Sequence, residues 1–129
     1  MPLARPSMDE LHGLKILVVD DDPDSCVLLA LLLAEAATQV ETVGSSEEAL
    51  RQLEQFRPDV VIIDIALPGR DGYWLLTQLK TKDIPAIAVT ALPIHECDLA
   101  LAAGFRDWLS KPMDFDRLLE SVMRFQPAN

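Results

Sequence analysis

Four aspartates, Asp20, Asp21, Asp22 and Asp24, follow directly on the aliphatic run KILVV of residues 15–19. Adjacent carboxylates repel and raise one another's pKa unless a positive group lies between them. A solvated acidic turn tolerates that arrangement; a cation site would explain it. The spacing Asp20-x-Asp22-x-Asp24 opens like an EF-hand calcium loop, which needs Gly at its sixth position, Glu at its twelfth and a helix before it. Ser25 and Leu31 occupy those positions, and a strand pattern precedes, so that reading fails. A phosphate-cradling G-x-x-x-x-G-K loop is absent too, since the five glycines are scattered and none opens a helix in that way.

What these carboxylates can do depends on the elements that carry them. KILVV reads as a buried strand, and residues 22–37 have the length and composition of a helix. QVETV (39–43) alternates as a half-buried edge strand does. Ser45 with Glu48 three residues on forms a capping box for the next helix, which Arg57-Pro58 ends. DVVIID (59–64) is the strongest strand pattern, LPGRDG a loop, and residues 73–80 a short helix. AIAVT (86–90) is a fourth strand. Residues 93–103 form a helix with Gly104 at its C′ position, and DWLS (107–110) is a fifth strand. Asp114 caps a last helix reaching about residue 125. Residues 1–13 read as a flexible leader or linker, with His12 solvated; 14–126 form the domain and 127–129 a tail.

Strands alternating with helices imply an α/β fold: a five-stranded parallel sheet covered on both faces. Ligands of such sheets bind beyond the carboxyl ends of the strands. Strand one ends at Asp20-Asp21, strand three at Asp64, strand four at Thr90, and Lys111 follows strand five. Taken singly, each is an ordinary loop residue or cap. Together they place three carboxylates, a hydroxyl and an ammonium on one rim.

That rim, in the strings ILVVDDDP, DVVIIDIALPGRDG, AIAVTA and AGFRDWLSKP, resembles the receiver domain of two-component response regulators over residues 14–125. The resemblance implies a flavodoxin-like, doubly wound (βα)5 fold with strand order 2-1-3-4-5. It implies that Asp64 accepts a phosphoryl group from a histidine kinase or histidine phosphotransfer protein. It also implies Mg²⁺ on Asp21 and Asp64, with Asp20 acting through water and the Ala66 carbonyl completing the set. Thr90 and Lys111 would hold the phosphoryl oxygens. Mg²⁺ suits such a rim, since it takes one or two carboxylates and fills its octahedron with water and phosphate. Trp108 stands where the family usually places a smaller ring that reorients with Thr90 on phosphorylation.

The first helix is apolar nearly all round. With Leu28, Leu29, Leu32 and Ala36 turned to the sheet, Cys26, Val27, Ala30, Leu31 and Ala34 face outward, a surface suited to partner docking. The fourth helix has no Lys or Arg, against the charged pairing of DNA-binding relatives, although a homodimer remains open.

The chain has 129 residues, one domain's worth, and a formal net charge of −10, which argues against direct nucleic-acid binding. Cys26 and Cys97 lack metal-ligand or disulfide-framework spacing and read as reduced thiols. No run is long enough for a signal peptide or a membrane span, so the expectation is a cytoplasmic protein. The resemblance implies that it catalyses only its own phosphorylation and dephosphorylation. Both a free-standing regulator and a receiver of a hybrid kinase fit. Two rivals stand beside this reading: an aspartyl-phosphate phosphatase with Asp20 as nucleophile, and a receiver-like module that binds partners without phosphorylation.

Overall fold

A computed structural model describes residues 13–34, 39–65, 71–91 and 94–125, with only the backbone for 94–97. Residues 1–12, 35–38, 66–70, 92–93 and 126–129 lie outside it, and with them all but the last residue of the leader, the tail, Ala36, Ala66 and the expected helix start at Pro93. In chain order the elements are β1 (Lys15–Val19), α1 (Pro23–Ala34), β2 (Gln39–Val43), α2 (Ser46–Phe56), β3 (Val60–Asp64), α3 (Gly72–Lys80), β4 (Ala86–Thr90), α4 (Ile94–Ala103), β5 (Asp107–Ser110) and α5 (Phe115–Val122). The sheet is parallel throughout, in the order β2-β1-β3-β4-β5. This is the expected flavodoxin-like arrangement. Expected and observed bounds differ by a residue or so, except that α5 gives way to turns after Val122 and that the expected end of the first helix, at residue 37, lies outside the described residues.

β1, β3 and β4 are buried almost throughout because helices cover both faces. Leu17, Val19, Val61, Ile63 and Ala88 pack under α2, α3 and α4; Ile16, Val18, Ile62, Ile87 and Val89 pack under α1 and α5. β2 is an edge strand with Gln39, Glu41 and Thr42 exposed. Among the described residues no helix is long and apolar enough to cross a membrane.

The caps set where each helix starts and stops. Ser45 accepts the Glu48 N–H at 3.1 Å, while the Glu48 carboxylate reaches the Gly44 N–H, one residue before the expected capping-box partner. Arg57 closes α2 in the left-handed region at φ 53°, and Gly104 follows α4 at φ 123°.

The orientation of α1 differs from expectation. Leu29 and Leu33 are the buried pair, whereas Leu28 is 53% exposed. Val27, Leu31 and Ala34 are exposed as anticipated, but Cys26 and Ala30 are half-buried. A helix that is apolar on every side carries no stripe to mark its inward face. Its start is fixed where Asp22 accepts the Asp24 N–H at 3.1 Å and Pro23 takes the first helical position, and its inward face is the one whose Leu29 and Leu33 join Ile16, Val18 and Ile62 in one core cluster.

Candidate functional site

The adjacent aspartates do three different jobs. Asp20, 3% exposed, leaves β1 with its N–H on the Val43 carbonyl, and its carboxylate accepts the Asp22 N–H at 2.9 Å. Asp21 is exposed at the rim. Asp22 caps α1 and also accepts the Ser25 hydroxyl at 3.0 Å. Only Asp20 and Asp21 belong to the site.

Asp64 is the last residue of β3, the strand between β1 and β4, so it lies beside the end of β1. Carboxylate oxygens of Asp20, Asp21 and Asp64 lie within 4.8 Å of one another. The Lys111 ammonium donates to Asp20 at 3.0 Å and to Asp64 at 3.1 Å. The cluster is therefore already partly neutralised, although one amine against three carboxylates leaves it negative. Partial burial pulls the Lys111 pKa down, but hydrogen bonds and charge from Asp20 and Asp64 outweigh this and hold it above the usual lysine value.

Backbone contacts fix this geometry. The Lys111 N–H donates to the Thr90 carbonyl at 3.0 Å, which ties the lysine to the end of β4. Thr90 is buried and pairs with Ser110; Trp108, half-buried, pairs with Ala88 two residues earlier. Alternation along the strands places Trp108 and Thr90 on the same face of the sheet.

Two contributors escaped the sequence reading, and a third, Cys26, is read there only as an outward-facing reduced thiol. Gly72 opens α3 against the end of β3: a Cβ there would lie 2.9 Å from Ile63 Cγ2 and 3.1 Å from the Asp64 carbonyl oxygen. Its only signal was the Gly of LPGRDG. Ser46, fully buried, donates its hydroxyl to the Asp71 carbonyl at 3.2 Å, while Asp71 caps α3 through the Trp74 N–H. Cys26 donates its thiol to the Asp20 carbonyl at 3.1 Å. Burial and the Asp20 and Asp22 charges push that thiol's pKa up, so it is a structural donor here.

The donor set is oxygen only and net negative, which fits a hard divalent cation such as Mg²⁺. The family model for the response regulator receiver domain matches residues 16–123. The chain belongs to this family.

A 14.6 kDa protein encoded in the sodA1 3′ region of Leptolyngbya boryana is 37% identical to this receiver over 92% of its length and 94% of that protein. The histidine-protein kinase BarA of Escherichia coli is 32% identical over 96% of the receiver but only 14% of the kinase. Likewise the receiver spans a quarter of the transcriptional regulator ZraR of Salmonella typhimurium. Among solved structures, a protein from Chloroflexus aurantiacus assigned as a response regulator superposes with a TM-score of 0.81 at 35% identity, covering 87% of this chain and 96% of that one. The receiver domain of the sensor histidine kinase PA1611 of Pseudomonas aeruginosa superposes at 0.77 with 28% identity, covering 88% and 98%; it has a magnesium ion coordinated in its active-site cleft.

Proposed function

We propose that this receiver takes a phosphoryl group onto Asp64 from the phosphohistidine of a histidine kinase or phosphotransfer protein. The observation that carries this is the placing of Lys111 between Asp20 and Asp64 at a strand-end rim. One Asp64 carboxylate oxygen attacks phosphorus, the P–N bond breaks, and the imidazole nitrogen keeps the electron pair. The product is an acyl phosphate on Asp64.

Phosphoryl transfer is helped mainly by positioning and by offsetting charge on the equatorial oxygens. Lys111 starts on the Asp64 carboxylate and is placed to follow the incoming phosphoryl oxygens. Thr90 supplies a hydroxyl from the next strand end. Asp20, Asp21 and Asp64, with the Ala66 carbonyl, would hold Mg²⁺, which supplies further charge compensation when bound. Thr90 and Trp108, sharing a face, are the pair through which phosphorylation would be read. The exposed residues Val27, Leu31 and Ala34, flanked by Cys26 and Ala30, form the surface for the histidine-bearing partner.

The phosphatase reading names Asp20 instead. The Asp20 side chain is 3% exposed against 12% for Asp64, and it is held by both Lys111 and the Asp22 N–H. That supports Asp64 as nucleophile. Incubation with Mg²⁺ and acetyl phosphate, borohydride trapping and peptide mapping should place one phosphoryl group on Asp64. Label mapped to Asp20 would overturn the assignment. Leu31→Asp should slow transfer from a phosphohistidine partner while sparing acetyl phosphate; equal losses with both donors would assign the stripe to folding instead.

A further inference from the structure

α2 opens on two serines that do different work. Ser45 caps the helix by accepting the Glu48 N–H, so the Ser46 hydroxyl is not needed for that cap. Ser46, the first helical residue, is fully buried and turns its hydroxyl across the fold to the Asp71 carbonyl, 25 positions on, at 3.2 Å. That carbonyl already accepts the Leu75 N–H at 3.2 Å in the first turn of α3. Neither helix start depends on the cross-link for a partner. What the cross-link does is hold the two starts together.

The start of α3 is also the part of that helix that touches the strand end carrying Asp64. Asp71 caps α3 through the Trp74 N–H at 3.0 Å, and Gly72 follows with its N–H on the Ile65 carbonyl at 3.2 Å. Gly72 lies so close to the end of β3 that a Cβ would meet the Ile65 Cα at 3.0 Å and the Asp64 carbonyl oxygen at 3.1 Å. Ile65 in turn donates its N–H to the Val89 carbonyl at 3.1 Å, beside Thr90. A continuous run of contacts therefore leads from Ser46 through Asp71 and Gly72 to Asp64. Lys111 holds the Asp64 carboxylate from one side; the start of α3 holds its backbone from the other.

We propose that Ser46 is a positioning residue for phosphoryl transfer: its hydroxyl holds the start of α3 against β3 and so fixes the direction in which the Asp64 carboxylate leaves the strand. This role rests on Asp64 being the phosphoacceptor. A carboxylate oxygen attacking phosphorus tolerates little misplacement, and an error of about 1 Å costs up to about a hundredfold in rate. Ser46, being fully buried, reaches neither donor nor cation itself and acts through the backbone of Asp71 and Gly72. Ser46→Ala removes the cross-link without stranding the Asp71 carbonyl, which keeps the Leu75 N–H, so the variant should fold with a modest loss of stability.

The test compares the full chain with Ser46→Ala, Ser46→Cys and, as a stability control, Asp107→Asn, which disturbs the pairs with Arg117 and Arg124 away from the rim. Labelling of Asp64 by acetyl phosphate at saturating Mg²⁺ should slow about tenfold in Ser46→Ala. Ser46→Cys keeps a weak donor and should fall between; it carries the comparison should Ser46→Ala lose its fold. In metal-free ¹⁵N NMR spectra the amide shifts caused by Ser46→Ala should extend past Asp71 and Gly72 to Ile65 and Asp64. The proposal is overturned by a labelling rate within about twofold of the wild type, by equal slowing in Asp107→Asn, or by shifts that stop at Gly72. Wild-type label on a residue other than Asp64 would instead sink the phosphoacceptor reading, and this role with it.

Discussion

Two assemblies of carboxylate and cation sit at opposite ends of the sheet, and their charge balance differs in sign. At the rim, Asp20, Asp21 and Asp64 share the Lys111 ammonium, leaving a surplus of negative charge. At the start of β5, Asp107 alone receives Arg117 on both oxygens at 3.1 and 3.2 Å, Arg124 at 3.0 Å, the Ser121 hydroxyl at 2.7 Å and the Trp108 N–H at 2.8 Å. Burial pushes the Asp107 pKa up, but hydrogen bonds from Arg117, Ser121 and Trp108 and the Arg117 charge bring it below the usual carboxylate value. A buried acid so completely satisfied is a clamp joining β5 to α5. An under-compensated cluster is a place for a cation or a reaction. Burial and ion pairing occur in both; the charge left over separates them.

Breaking the rim should give the larger effects. Asp64→Asn should reduce labelling by acetyl phosphate to background, since the amide is nearly isosteric but is not a nucleophile. Retention of the native circular dichroism spectrum shows that chemistry, not folding, was lost. Lys111→Ala should slow labelling by about a hundredfold, the scale of one charge-stabilising donor. It should also tighten Mg²⁺ binding by titration, because the amine no longer competes for Asp20 and Asp64. Weaker metal binding would contradict the surplus-charge account.

Breaking the clamp should cost stability and leave chemistry alone. Asp107→Asn should destabilise by about 2–3 kcal/mol in urea unfolding, a buried-pair loss discounted for the partly exposed arginines. Asp64 labelling should stay within about twofold, as the clamp touches no group of the rim. The depressed Asp107 pKa stabilises the fold above about pH 4, the unfolded carboxyl value, and that contribution fades as pH falls through the lower folded value. The raised Lys111 pKa works oppositely: its contribution is complete below about pH 10.4 and fades as pH rises through the folded value. Asp107→Asn should therefore flatten only the acid limb of a stability–pH profile, and Lys111→Ala only the alkaline limb.

The smallest expected effect sharpens the comparison at the rim itself. Gly72→Ala should cost about 1–2 kcal/mol by crowding Ile63 and the Asp64 carbonyl. Because the strain falls on the residue carrying the proposed nucleophile, labelling should slow as well, which the more destabilising Asp107→Asn should not do. Unchanged labelling in Gly72→Ala would show that the strand end absorbs the added methyl.

The sequence by itself determined the alternation of strands and helices, and with it the strand ends carrying Asp20, Asp64, Thr90 and the following Lys111. Those features are local: aliphatic runs, caps such as Ser45 and Asp114, and breakers such as Arg57-Pro58 act within a few residues. A parallel sheet then sends every strand end to the same rim, so order along the chain already encoded the site. The rotation of α1 was decided only by tertiary structure, because a helix apolar on all sides offers no stripe and its inward face is the one whose Leu29 and Leu33 pack with Ile16, Val18 and Ile62. The Lys111 bridge to Asp20 was also beyond local pattern, since it joins residues 91 positions apart. The Asp107 clamp escaped notice for the same reason: Arg117 on α5 and Arg124 in the turn after it look like ordinary surface charge until β5 is laid against them.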